Sequence, residues 1–252
     1  MHELMKASFQ INTFLKAVAL NVLALCLAAP AHAGMFSVTP VRIYMTQKDK
    51  AVAVTITNES DDEIVMQADL YVWKQKPGGE DELIPSEDLF LSPPIIKLAA
   101  RARQVVRLAR VSPAKSDQQL TYRMIVREVP EAKPAKDKVQ LQIALAFSMP
   151  VFITPPGAKN KLDCAVERLA ANAINAVCEN TGSAYAQPLD FSLTSEAGDK
   201  LASRDKGGYI LPGIKRSFDI RRTDGRIPGG KAKLVVTLDN GIKQSYDVVL
   251  KE

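Results

Sequence analysis

Histidine is the first thing this chain lacks. Its two histidines, His2 and His32, both fall within the first 33 residues, a stretch that reads as a removable leader. The remainder then has no imidazole, which excludes the most common general base, the Ser-His-Asp arrangement and most zinc sites. Cysteine is nearly as scarce: of three, Cys26 lies in the leader, leaving Cys164 and Cys178. Beyond the leader almost no segment carries a helical period. No basic run is interleaved with aromatics, so nucleic acid is excluded as a partner. The net charge of +5 comes from mixed signs and describes a solvated surface. Ser112-Pro113-Ala114-Lys115 matches a serine-nucleophile motif, but it sits in a proline loop without its K-T-G companion. Gly225–Gly230 has neither the spacing of a phosphate loop nor a helix after it. No catalytic residue, metal, cofactor or small-molecule substrate is expected, and the chain reads as something other than an enzyme.

What is present starts with Lys6 and Lys16, the apolar run Ala17–Ala29 and the A-x-A site Ala31-His32-Ala33. This pattern predicts a cleaved secretory signal over residues 1–33, too short in its apolar part to span a membrane. Export favours disulfide formation. If the segments Leu162–Arg168 and Ala173–Glu179 form a hairpin turning near Ala171, Cys164 and Cys178 face each other. A disulfide is the expectation, and two reduced buried thiols are the alternative.

Nearly every later segment reads as a strand bounded by turn chemistry. Met35–Tyr44, Ala51–Thr57, Val65–Trp73, Leu89–Leu98, Gln104–Ala109, Thr121–Val129 and 139–153 form a first set. Leu89–Leu98 must bend or lie at an edge, because Ser92-Pro93-Pro94 cannot supply donors to a ladder. Thr154-Pro155-Pro156-Gly157 breaks the alternation, and a second set of strands follows it. The reading is all-β, with two immunoglobulin-like sandwiches over 34–155 and 156–252.

The segment 139–153 places a large apolar residue at every odd position. Side chains alternate faces along a strand, so Val139, Leu141, Ile143, Leu145 and Phe147 continue one face with Met149, Val151 and Ile153. The second half can bury in the chain's own core. The first half is surplus apolar surface of the kind that is covered by a partner, which predicts a strand of about 139–149 lent to another protein. Arginines also stand inside strands: Arg42, Arg107, and Arg123 with Arg127 on one face. Guanidinium groups converging at a cleft would make a carboxylate site.

In order along the chain, several phrases resemble the PapD-like periplasmic pilus-assembly chaperones of the chaperone–usher pathway. They are Val41-Arg42-Ile43-Tyr44, Leu91-Ser92-Pro93-Pro94-Ile95-Ile96-Lys97-Leu98, Val106-Arg107-Leu108, Tyr122-Arg123 through Pro130, Gln142-Ile143-Ala144-Leu145, and Pro150-Val151-Phe152-Ile153-Thr154-Pro155. Glu179-Asn180-Thr181-Gly182 and Leu238-Asp239-Asn240-Gly241 extend the likeness. The resemblance implies two sandwiches in a boomerang, with the long strand donated to a pilin that lacks its last strand. It implies pilin subunits and an outer-membrane usher as partners, and leaves open a self-capping dimer when free. Arg42 is implied as an anchor for the subunit's terminal carboxylate. A lysine that assists in the best-known branch is replaced at Ser148 and Pro150, so Arg123 is its substitute, a pattern closer to the archaic Csu-like branch. The resemblance further implies an inter-domain ion-pair network of Arg107, Glu128 and Asp239, and a cis peptide at Ser92-Pro93. The rival class is an exported immunoglobulin-like fibre subunit or adhesin.

Overall fold

The computed structural model describes residues 36–113, 116–130 and 144–251. The leader reading, Val139, Leu141 and Ile143 lie outside these residues. The strands of the first half are β1 (Phe36–Thr39), β2 (Ile43–Thr46), β3 (Ala51–Asn58), β4 (Ile64–Gln75), β5 (Asp81–Pro85), β6 (Leu89–Ser92), β7 (Ile95–Leu98), β8 (Arg103–Arg110), β9 (Leu120–Glu128) and β10 (Ala146–Thr154). Those of the second half are β11 (Leu162–Ala170), β12 (Ala173–Asn180), β13 (Pro188–Ser195), β14 (Lys200–Asp205), β15 (Lys215–Arg221), β16 (Gly230–Leu238) and β17 (Lys243–Leu250).

The first half stacks the sheet β1-β3-β8-β6 on the sheet β2-β10-β9-β4-β5, with β7 paired to β4. Two segments expected as single strands each change sheets part-way. Met35–Tyr44 breaks at the cis Thr39-Pro40 bond into β1 and β2, one in each sheet. Leu89–Leu98 breaks at the cis Ser92-Pro93 bond into β6 and β7. Proline removes the donor each ladder would need, so the chain crosses from sheet to sheet there. Between the sheets lie Val38, Ile43, Ile56, Met66, Leu108, Met124, Met149, Val151 and Ile153, all buried.

In the second half β11, β12 and β15 form one face, and β14, β13, β16 and β17 the other. A single residue pair, Ser203 with Arg221, joins them at one corner. The core between them includes Ile174, Phe191, Leu193, Phe218, Ile220 and Leu234. Antiparallel register sets Cys164 opposite Cys178, and the two are disulfide-bonded. Strands β5 and β14 have no counterpart in the sequence reading. All five residues of β5 are exposed, so it carries no buried alternation to detect.

A third, smaller cluster of Trp73, Phe152 and Leu211 joins the two halves, flanked by Tyr185 and Tyr209. Two amides hold the same junction. Gln119 donates from its backbone to the Ser183 carbonyl at 2.8 Å, and its side-chain oxygen accepts from the Tyr185 N–H at 2.9 Å. Gln75 donates to the Tyr209 carbonyl at 3.1 Å and accepts from the Leu211 N–H at 3.0 Å.

Candidate functional site

Strand β10 is the element from which the site is built. Over 146–153 it pairs antiparallel with β9, but β2 covers its other edge only from Val151 to Thr154. The Leu145 carbonyl accepts from the Glu128 N–H at 3.0 Å, so the backbone groups of odd residues point to β9. Those of the even residues Ala146, Ser148 and Pro150 therefore point to the edge that no described strand occupies. Ala146 and Ser148 offer N–H groups there; Pro150 cannot. The expected donor residues Leu145 and Phe147 lie at the start of this open stretch. Leu145 packs against the core, and Phe147 is 42% exposed with its ring edge-to-face on Phe36 at 4.8 Å.

The side chain of Phe152 on β10 faces the second half of the molecule. Phe152 stacks on Tyr44 and on Tyr185, with ring centroids at 5.6 and 4.2 Å. Pro150 pairs in register with Arg123 on β9. On the other flank, Ile43 pairs with Val151, which places Arg42 one step earlier, level with Pro150. The open edge thus ends between two arginines, and Tyr209 from the second half lies against both, 5.8 Å from the Arg42 guanidinium and 5.5 Å from that of Arg123.

The two guanidiniums differ in their surroundings. Arg42 donates to Asp239 Oδ2 at 2.8 Å, and Tyr185 donates its hydroxyl proton to the same oxygen at 3.0 Å. Tyr185 has then used its one proton, so Tyr44 is the donor in the 2.8 Å bond between the two hydroxyls. Burial is the chief cause that holds the Tyr185 hydroxyl well above the usual tyrosine pKa, with Tyr44 and Asp239 acting in the same direction. A cavity of ≈ 680 Å³ opens here, lined by Arg42, Tyr44, Lys159, Tyr185, Asp239 and Asn240. Arg123 instead lies 3.8 Å above the Trp73 ring, its side chain only 14% exposed. Asp81, at 3.8 Å, is the single carboxylate among the described residues within ion-pair range of it. Burial lowers the Arg123 pKa, and Asp81 opposes that shift. Arg127, further along the same face, is paired with Asp69 at 2.8 Å.

The three residues expected as an inter-domain ion-pair network do not meet. Asp239 pairs with Arg42. Arg107 is exposed on β8, in the sheet opposite the one that carries β2 and β10, between Ala53 and Ser92. Glu128 lies eight residues from Leu120, about 26 Å along β9 from the end that meets the second half. Alternation assigns a residue to a face but not to an end of the sheet. The sequence reading missed Gln75, Gln119, Tyr185 and Tyr209, which carry no charge pattern or motif.

Two stacked-sheet halves, joined through an aromatic cluster, with the first part of β10 unpaired on one edge among the described residues, define a two-domain immunoglobulin-like architecture. Residues 35–159 match the family described as "Pili and flagellar-assembly chaperone, PapD N-terminal domain", so this first half of the chain belongs to that family of pilus-assembly chaperones. No curated protein matches the sequence. Among solved structures, the chain is similar to the pre-assembly complex of the chaperone CsuC with the tip adhesion subunit CsuE, from archaic chaperone–usher Csu pili of Acinetobacter baumannii. That match has 18% identity and a TM-score of 0.61, covering 86% of this chain and 100% of the other. It is also similar to the E. coli chaperone DraB, at 20% identity and a TM-score of 0.55, covering 87% of this chain and 98% of the other. The complex of the Salmonella enterica pilin SafA with the chaperone SafB matches at 13% identity and a TM-score of 0.58, covering 87% and 98%. Family and fold point away from enzyme activity.

Proposed function

We propose that this protein is a periplasmic chaperone, exported by a leader over 1–33, that caps pilus subunits along the open edge of β10 and passes them to an outer-membrane usher. The observation that carries the reading is that edge: backbone groups of Ala146 and Ser148 free for pairing, beside apolar residues, ending between Arg42 and Arg123. A subunit strand whose C-terminus reaches the cleft runs parallel to β10. Its terminal carboxylate is held by the two guanidiniums, and its apolar groove takes Leu145, Phe147 and the odd-numbered residues before them. Each such side chain contributes about 1.5–3 kcal/mol on full burial, before ordering costs. The replacement of the usual lysine by Pro150, with Arg123 across the strand from it, supports placement in the archaic branch. A fibre subunit is the weaker reading, because the donor-like strand is internal and already paired on one side.

The test is co-purification from periplasmic extract with a subunit encoded beside this chain. Phe147→Asp should abolish recovery of the complex while leaving the chaperone soluble, since a charge enters an apolar groove without a partner. Undiminished recovery from this variant would overturn the strand-lending reading.

A further inference from the structure

The residues around the two arginines come from both halves of the molecule, so their spacing depends on how the halves are held. Gln119, almost fully buried, uses its side-chain oxygen to hold the Tyr185 backbone and its side-chain N–H to reach Thr154 Oγ1 at 2.8 Å. The Tyr185 hydroxyl holds Asp239, and Asp239 holds Arg42. Gln75, equally buried, holds the carbonyl of Tyr209, whose ring lies against both Arg42 and Arg123. The two clamped loops are themselves tied together. Ala186 and Ile210 exchange backbone bonds, and the fully buried Asn180 amide donates to the carbonyls of both Ala184 and Ile210. Arg216 adds a second donor to the Tyr209 carbonyl, at 2.7 Å. It passes so close to Gly79, at φ +89°, that a side chain there would collide with it.

We infer that Gln75 and Gln119 are positioning residues for the carboxylate site: each fixes one tyrosine-bearing loop of the second half against the sheet that carries Arg42 and Arg123. This inference rests on the proposed reading of the cleft. An amide suits the task because it donates and accepts at once without bringing a charge into the junction. The two glutamines differ in what they require. Gln75 must donate to Tyr209 and to Asp81 Oδ1, which a carboxylate cannot do. Gln119 needs one acceptor for Tyr185 and one donor for Thr154, and a glutamic acid kept protonated by burial supplies both without a charge.

Trp73, the single tryptophan of the chain and 1% exposed, sits in this junction, so its emission reports docking of the two halves. Q75A, Q75E and Q119A should each move that emission to longer wavelength and lower capture of the co-purifying subunit about tenfold, with the far-ultraviolet spectrum unchanged. Q119E should retain both wild-type emission and capture, a rescue that general loss of packing would not give. Unchanged emission and capture in all four variants would overturn the inference, as would failure of Q119E alongside Q119A. If emission shifts while capture stays at the wild-type level, the clamp stands and the carboxylate reading of the cleft falls.

Discussion

Arg42 and Arg123 reach the same cleft carrying different electrostatic burdens. Arg42 is already matched by Asp239, whereas Arg123 keeps its charge over an aromatic face with one distant carboxylate. The sequence marks both, because an arginine within an apolar strand stands out. It does not show that Asp239 supplies the free protein with its own carboxylate for Arg42. An unliganded anchor read from the sequence is a solvated charge; here it is also an inter-domain tie. Arg123→Ala should therefore weaken subunit capture about 10- to 100-fold, the worth of a hydrogen bond to a charged group, with little change in Tm. Arg42→Ala should weaken capture too, but also lower the Tm, because it strands a largely buried Asp239. Arg123→Lys should rescue only in part, since an ammonium lacks the planar fork. Capture assays and thermal melting of the three variants separate these outcomes; an Arg123→Ala protein that melts earlier yet captures normally would make Arg123 structural.

At the scale of elements, the alternation at Met149, Val151 and Ile153 was readable because period two survives wherever one face is buried. The partners of β10 were not readable, since side-chain pattern says nothing of which backbone edge is covered. The cysteine pairing was legible for a local reason: the hairpin β11–β12 is short, and its turn residues fix the register. The disulfide closes a loop with a sequence separation of 14. Replacing both cysteines by serine should cost about 3 kcal/mol on the chain-entropy account, less where the reduced chain retains structure. The loss should appear as earlier melting of the second sandwich. The Trp73 emission at ambient temperature should stay unchanged, because neither cysteine touches the junction.

For the whole molecule, docking among the described residues relies mainly on neutral groups: three aromatic or aliphatic side chains, two amides and a hydrogen-bonded pair of tyrosines. Beside them stand the Arg42–Asp239 ion pair and two guanidiniums against the Tyr209 ring. The Tyr185 hydroxyl has its pKa raised in the folded protein, mainly by burial. A raised acid favours the folded state in full below the unfolded tyrosine value of about 10, and that contribution is lost as pH climbs through the folded value. Junction stability should thus be level across neutral pH and decline above about pH 10. Tyr185→Phe should weaken that alkaline dependence and leave the part contributed by Tyr209, which burial also raises. Following Trp73 emission against pH in both proteins checks this; an identical alkaline decline in Tyr185→Phe would assign it to another group.

Pro150 gives the open edge a direction of use. An exposed strand edge is a template for any extended polypeptide, and most proteins blunt it to avoid aggregation. Here the template runs out at a residue with no N–H to give, flanked in register by two cations. An internal stretch of a foreign chain would have to continue past a missing rung and would bring no terminal carboxylate to the guanidiniums, leaving Arg42 with Asp239 and Arg123 with Asp81 alone. A chain that stops there meets neither penalty. On the proposed reading of the cleft, the edge therefore discriminates between the end of a polypeptide and its middle, and rejects the promiscuous pairing that its own exposure would otherwise invite.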